Sequence, residues 1–356
     1  MRTALLAAIA GASVVSSPAA AETYAFVSLA GEKKIASYRM DPETGRLALA
    51  AETAVEGAPG SLVADASGRH LFVALRGTRK LAGYRIDRAT GRLTLASTVD
   101  VKADPSYVGL DRSGRYLLSA FYQAGKVMVH RLGADAAIEP EPTAEVHTVR
   151  TAHSAVPDPS NRLIYVPHVD PNAVFQFAFD AATGRLRPAD VPRVTAPASA
   201  GPRHLRIHAS GKWAFTSDEL GSSITRYALD PSTSRLTPVE TLSTLPAGFQ
   251  GSNTCAEVKI HPNGRFVYVS NRGHDSIAAF AVRPEDGSLR AIGTTPTEKT
   301  PRSFDLDPSG RVLYAAGQDG TRIASYAVDP ATGKLTPGSV YEVGKQPFWV
   351  LLVDVR

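Results

Sequence analysis

The chain has 356 residues, with 39 Lys and Arg against 34 Asp and Glu, a formal charge of +5 and 43% apolar residues. That mild charge comes without a basic run or basic residues interleaved with aromatics, which argues against a nucleic-acid partner. A lone cysteine, Cys255, excludes an internal disulfide, and a chain this long buries a core large enough to do without one.

Residues 1–21, MRTALLAAIAGASVVSSPAAA, carry Arg2, an apolar middle and the small-residue ending Ala19-Ala20-Ala21. This is the pattern of a secretory signal cleaved after Ala21. The apolar stretch is short for a membrane span and runs into Ser and Pro, and no cysteine stands near residue 20 to take a lipid. The mature chain, 22–356, is therefore expected in the periplasm, with no stable membrane insertion after cleavage.

Residues 23–53 then give three short alternating segments, TYAFVSL, KIASYRM and RLALAAE, with the turn DPETG before the last. Two phrases alternate along the chain. One is a turn followed by an apolar-aromatic run: DASGRHLFV (65–73), DRSGRYLL (111–118), PDPSNRLIYV (157–166), HASGKWAF (208–215), HPNGRFVYV (261–269) and DPSGRVLY (307–314). The other is a second turn: DPETGRL (41–47), DRATGRL (87–93), DAATGRL (180–186), DPSTSRL (230–236), RPEDGSL (283–289) and DPATGKL (329–335). Pro and Gly serve the turns, and alternating apolar residues serve the strands. The repeat predicts four-stranded antiparallel units at 58–100, 104–146, 152–195, 202–243, 256–294 and 301–342. Residues 23–53 lack a first strand, and QPFWVLLVDVR (346–356) is a first strand without its partners. Pairing the two completes an all-β, seven-bladed propeller as one domain; an open or six-bladed array is the alternative. The irregular stretch 243–255 is expected at the rim, where it could cover the mouth.

The repeat also sets which residues meet. Eight positions before the turn glycine stand Gly60, Ser106, His153, Arg203, Ala256 and Arg302, with Phe348 on the last strand. Eight positions after it stand Arg76, Tyr122, Val169, Glu219, Arg272 and Gln318, with His168 and Asn271 one step away. These slots collect large polar side chains where neighbouring strand positions are apolar, and such groups are costly to bury unless paired or used. They are expected around the axis at one face, with peripheral inter-blade ion pairs as the alternative. His208 and His261 replace turn aspartates and are expected to be turn residues. Cys255 is expected to be a small buried side chain rather than a nucleophile.

With these residues in view, the chain resembles the propeller lactonases, the family of the bacterial seven-bladed 6-phosphogluconolactonase, to which the fungal carboxy-muconate lactonizing enzyme is related. The matching stretches are TAHS (151–154), GPRHLRIHASGKWAFTSDEL (201–220), EVKIHPNGRFVYVSNRGHDSIAAF (257–280) and TPRSFDLDPSGRVLYAAGQD (300–319). The resemblance implies a catalytic set of His153, Arg203, Glu219 and Arg272. In it Glu219 would be the base, His153 its partner or the proton donor to the leaving alkoxide, and the two arginines the holders of the oxyanion. Arg76, Tyr122, His168, Glu257, Asn271, Arg302 and Gln318 are the substrate-binding candidates, with Arg302 and Arg76 suited to an anionic tail. The implied substrate is a small anionic lactone, without cofactor or metal. An export signal departs from the cytosolic role of the family's prototype and leaves phosphorylation of the substrate open. Three alternatives stand beside this reading. A non-enzymatic binding propeller would need no base, and a muconate-type cycloisomerase would turn the same arginines on carboxylates. A metal-dependent lactonase would draw oxygen ligands from Glu219, Glu257, Asn271 and Asp319. No protein partner is indicated.

Overall fold

Each repeat turn is closed by its own side chain. Asp65 Oδ1 accepts the amides of Arg69 and His70 at 2.9 and 3.1 Å, and Asp158 Oδ1 those of Arg162 and Leu163, both at 2.7 Å. The turn glycines 68, 114, 211, 264 and 310 have φ between 65° and 75°. A side chain resists that region, and Asn is among the few that enter it; Asn161 does so at φ 59°. His208 and His261 fill the aspartate's place as expected. Their Nδ1 atoms accept the amides of Ser210 and Asn263. Their Nε2 atoms reach the turn carbonyls of Gly264 and Gly310 in the next blade, at 2.9 and 2.8 Å.

The computed structural model describes residues 22–355; the expected signal segment lies outside them. These residues form seven four-stranded antiparallel sheets. Six are consecutive in sequence. The seventh pairs Pro347–Val355 with Glu22–Leu29, followed by Lys34–Met40 and Leu47–Ala54. Its ladder runs from Glu22↔Val355 to Leu29↔Pro347. This closure excludes the open and six-bladed arrays and covers the edge that a strand presents to other chains. We number this closing blade 1 and the rest in chain order. Among the described residues no helix is long and apolar enough to cross a membrane.

Buried tyrosines tie several blades to the next. The hydroxyls of Tyr116 and Tyr268 donate to the carbonyls of Ala182 and Gly333, both at 3.0 Å. Tyr165 and Tyr314 do the same to Ser234 and Gly45. Each links a second strand to the outer hairpin of the following blade. Such a bond is worth about 1 kcal/mol net, on top of the ring's burial. Hydroxyls also join neighbouring blades near the axis: Ser28 Oγ, on the second strand of blade 1, donates to Gly60 O at 2.8 Å, and Ser61 and Ser303 Oγ on innermost strands accept the amides of Val108 and Val350. Several innermost strands bulge near their start, between Pro59 and Leu62, Pro202 and His204, Cys255 and Val258, and Pro301 and Ser303. A bulge re-aims side chains. It lets successive residues such as Arg203 and His204 both reach axial neighbours.

Candidate functional site

The bulged strand starts and the ends of the second strands meet at one mouth. Arg203 lies on the innermost strand Pro202–Ile207, Glu219 just past the second strand Trp213–Asp218, and Arg272 at the end of Phe266–Arg272. The Glu219 amide donates to Gly201 O at 2.7 Å, fixing where its side chain begins. Its carboxylate is clamped from two blades. Oε1 stands 3.0 Å from Arg272 Nη2, and Oε2 stands 3.2 Å from Arg203 Nε. The second contact is close but out of line, so neither Oε2 nor Arg203 Nε has a hydrogen-bond partner. Arg203 is 1% exposed, and its Nη1 donates to Ala256 O at 2.8 Å. Arg272 Nη2 donates to Cys255 O at 3.0 Å.

Glu219 opens into a cavity of about 320 Å³ lined also by Arg76, Asp104, Ser106, Tyr122, His153, Arg302 and Phe348. The His153 ring packs edge-on to Tyr122, centroids 5.5 Å apart, and its Nδ1 has no partner. Arg302 lies 4.4 Å over the Phe348 ring and Arg76 5.0 Å from it. Arg302 makes no ion pair among the described residues, and its Nε is unsatisfied. A Cβ on Gly60 would stand 3.2 Å from Arg76 Cδ, so glycine leaves the room that side chain uses. A larger groove of about 520 Å³ lies between the outer strands of blades 4 and 5 and holds none of these residues. It carries no comparable convergence of buried charge, so the axial cavity is the candidate site.

The electrostatics follow from this crowding. Burial pushes the Glu219 carboxyl up, but Arg203, Arg272 and Arg302 together outweigh it and hold it below the ordinary carboxylate value. Burial, then Arg203, His204 and Arg302, push His153 well below 6.5, so its ring is neutral at pH 7. Burial and the neighbouring Arg272 bring Arg203 down to about 10, still charged. Burial and the other guanidiniums lower Arg302 as well. Four guanidiniums thus face Glu219 and, at the rim, Asp104. An anionic group entering the cavity meets net positive charge.

The structure brings together His153, Arg203, Glu219, Arg272, Arg302, Arg76 and Tyr122. Others go elsewhere. His168 is turned away: its Nδ1 lies 2.9 Å from Val166 O, its Nε2 2.9 Å from Thr148 Oγ1, and its ring lies against Phe175. Asn271 binds Thr244, Asn253 and Ser276, and so anchors the rim loop rather than a substrate. That loop is further held by Phe249 against His274, and none of its residues lines the cavity. Glu257 is wholly buried on the axis, paired with His204 and Arg206 at 3.0 Å each. Gln318 sits at the corresponding strand end in blade 7 but does not line the cavity, and its Oε1 has no partner. Cys255 is buried beside Thr244 and Asn271. Burial lifts its thiol to about 12, so it stays protonated.

The four oxygen ligands of the metal alternative are dispersed. Glu219 faces arginines, Glu257 faces His204 and Arg206, Asn271 faces Thr244, and Asp319 accepts from Thr300. Among the described residues no three His, Cys, Asp or Glu side chains gather to hold an ion.

Sequence reasoning missed His204. Its signal was one position deeper than the slots compared. There the innermost strands carry Ser61, Tyr107, Ser154, His204, Glu257, Ser303 and Trp349, a column without a single aliphatic residue.

Comparison with known proteins accords with the fold. Residues 22–352 match the family described as "Lactonase, 7-bladed beta-propeller". The chain is 35% identical over 231 residues to the 6-phosphogluconolactonase of Pectobacterium carotovorum, covering 65% of this chain and 69% of the relative. It is 33% identical over 330 residues to that of an Enterobacter species, covering 92% and 85%. The solved structure of the Pseudomonas aeruginosa periplasmic gluconolactonase PpgL superposes with a TM-score of 0.85 at 29% identity, covering 94% of this chain and 100% of that one.

Proposed function

The chain belongs to the seven-bladed β-propeller lactonase family, and from that premise we propose that it is an exported hydrolase of a sugar lactone bearing or acquiring negative charge, acting in the axial cavity. The observation that carries this reading is the Glu219 carboxylate. It is clamped by two arginines and lines the same cavity as His153 and Arg302, the latter unpaired among the described residues. Export is supported by the residue pattern of 1–21 and by the likeness to the periplasmic gluconolactonase of Pseudomonas aeruginosa.

Ring opening adds water across the lactone C–O bond. The Glu219 carboxylate accepts a proton from the attacking water as the water oxygen bonds to the carbonyl carbon. The tetrahedral oxyanion so formed needs a preorganised positive charge. Arg203 and Arg272 are drawn to Glu219, so we assign that duty to Arg302, a guanidinium in the cavity wall that, like Arg76, makes no ion pair among the described residues and that lies close enough to lower the Glu219 carboxyl. When the ring C–O bond breaks, the alkoxide takes the proton back from Glu219, with the neutral His153 ring lining the same cavity, leaving a hydroxy acid and a regenerated carboxylate. Arg203 and Arg272 keep Glu219 ionised, and Arg76 beside Phe348 is placed for an anionic substituent. The test is Glu219→Gln assayed on δ-gluconolactone and its 6-phosphate. We expect kcat to fall at least roughly 10²-fold; full retained hydrolysis would exclude the assigned base.

A further inference from the structure

Directly beneath the cavity lies a buried aromatic and ionic plug. His204, 0% exposed, packs against His153, Tyr107 and Trp349 with ring centroids 5.0, 5.7 and 5.8 Å away. Its two nitrogens face opposite demands. Nδ1 stands 3.0 Å from Glu257 Oε1, and Nε2 stands 3.3 Å from Arg203 Nη1. An ionised carboxylate only accepts hydrogen bonds and a guanidinium only donates them. The ring must therefore carry its proton on Nδ1 and present a bare lone pair at Nε2. A second proton on the ring would point at the arginine. Glu257 is held in turn by Arg206 at 3.0 Å and by the amide of Val258 at 3.1 Å.

We infer that His204, held in one tautomer by Glu257, is a positioning residue. It fixes the Arg203 guanidinium and, through it, the Glu219 carboxylate. The inference rests on the reading of Glu219 given above. It runs as a chain of contacts from the axial plug to the cavity: Glu257 orients His204, His204 and Ala256 O hold Arg203 Nη1, and Arg203 Nε faces Glu219 Oε2. Arg203 is wholly buried, so its direction is set by these acceptors and not by water. A carboxylate orienting the far nitrogen of a histidine is a device that fixes tautomer and ring plane. Here the histidine's client is a guanidinium.

The experiment uses the full chain and the variants His204→Phe and His204→Gln, assayed on δ-gluconolactone and its 6-phosphate, with 15N NMR of the histidine rings. His204→Phe fills the plug but removes both hydrogen bonds. We expect it to melt close to the parent and to lose about 10²-fold in kcat, the cost typical of a misplaced group, with KM changed less than about threefold. His204→Gln, whose side-chain carbonyl can accept from Arg203, is expected to recover at least about tenfold of that loss. The His204 ring should show a protonated Nδ1 and a bare Nε2 at pH 7. A folded His204→Phe protein with parental kcat, an Nε2-protonated ring or an imidazolium would each overturn the inference. If the Phe variant does not fold, the Gln variant and the ring spectrum decide. If Glu219→Gln retains activity, the earlier reading falls, and the ring spectrum still tests the geometry.

Discussion

Replacing Arg302 with Met should make the protein more stable and less active at once. Arg302 is recessed in the cavity wall with no carboxylate in ion-pair range, and burial with three neighbouring guanidiniums disfavours its charge. Holding an ion away from bulk water costs several kcal/mol in a real protein. Stacking on Phe348 at 4.4 Å returns up to about 2 kcal/mol of that, and water in the cavity returns more. Met has a similar stem and no charge, so the variant should gain about 1–2 kcal/mol. With ~330 ordered residues and an unfolding entropy of roughly 2.1 cal/mol/K per residue, that is a rise of about 1.5–3 °C in Tm. Catalysis should move the other way, because loss of one oxyanion donor costs roughly 10²–10³ in kcat. Calorimetry and steady-state hydrolysis of δ-gluconolactone measure both. A variant with parental kcat, or one that loses more than about 2 kcal/mol of stability, would refute the reasoning. The first result would remove Arg302 from the oxyanion, and the second would show that its charge is compensated.

Two further outcomes depend on pH. Glu219 is held below its ordinary value of 4.5 and His153 well below 6.5, so the carboxylate persists and the ring stays neutral across pH 5 to 8. The kcat/KM profile should be flat over that range and fall only below about pH 4.5; a limb near pH 6.5 would mean that His153 titrates in the working range. Asp218, next to Glu219, behaves oppositely. Burial pushes its carboxyl up to about 6 from 3.8, despite hydroxyls donated by Thr216, Thr225 and Ser223 at 2.6, 2.6 and 2.8 Å. The folded protein binds this proton more tightly than the unfolded chain, so the contribution is fully present below pH 3.8 and is lost as pH rises through about 6. Asp218→Asn should therefore be more stable than the parent at pH 8, by up to roughly 3 kcal/mol, with the advantage shrinking toward pH 5. Denaturant melts at both values check this, and an advantage that grows on acidification would contradict it.

The architecture was legible because it is written in turns. Asp, Gly and the following basic residue recur where the backbone needs a side-chain acceptor and a left-handed φ, and that requirement survives even where Asn161 or His208 substitutes. Closure was legible for a related reason: a three-stranded start and a one-stranded end leave two edges that only each other can satisfy. The mouth was legible in part. Equal offsets from a turn found Arg76, Tyr122, His153, Arg203, Glu219, Arg272 and Arg302, because the number of residues from turn to mouth is the same in these blades even where the paired strands differ in length. The same counting assigned His168 and Asn271 to the mouth, yet residues one step off the slot alternate to the other side of the strand, where His168 meets Phe175 and Asn271 pins the rim loop. In the innermost strands the opposite error occurs. A bulge there breaks the alternation, so His204, adjacent to Arg203, is not turned away but joins the same axial network. A two-residue period cannot show a bulge. What could show it is a column read across all the blades at once: seven consecutive innermost strands with no aliphatic residue at one depth cannot be packing an ordinary core. The polar chemistry of this protein thus occupies two layers, a cavity that the repeat register locates and a supporting plug that only the irregular strand starts bring into contact with it.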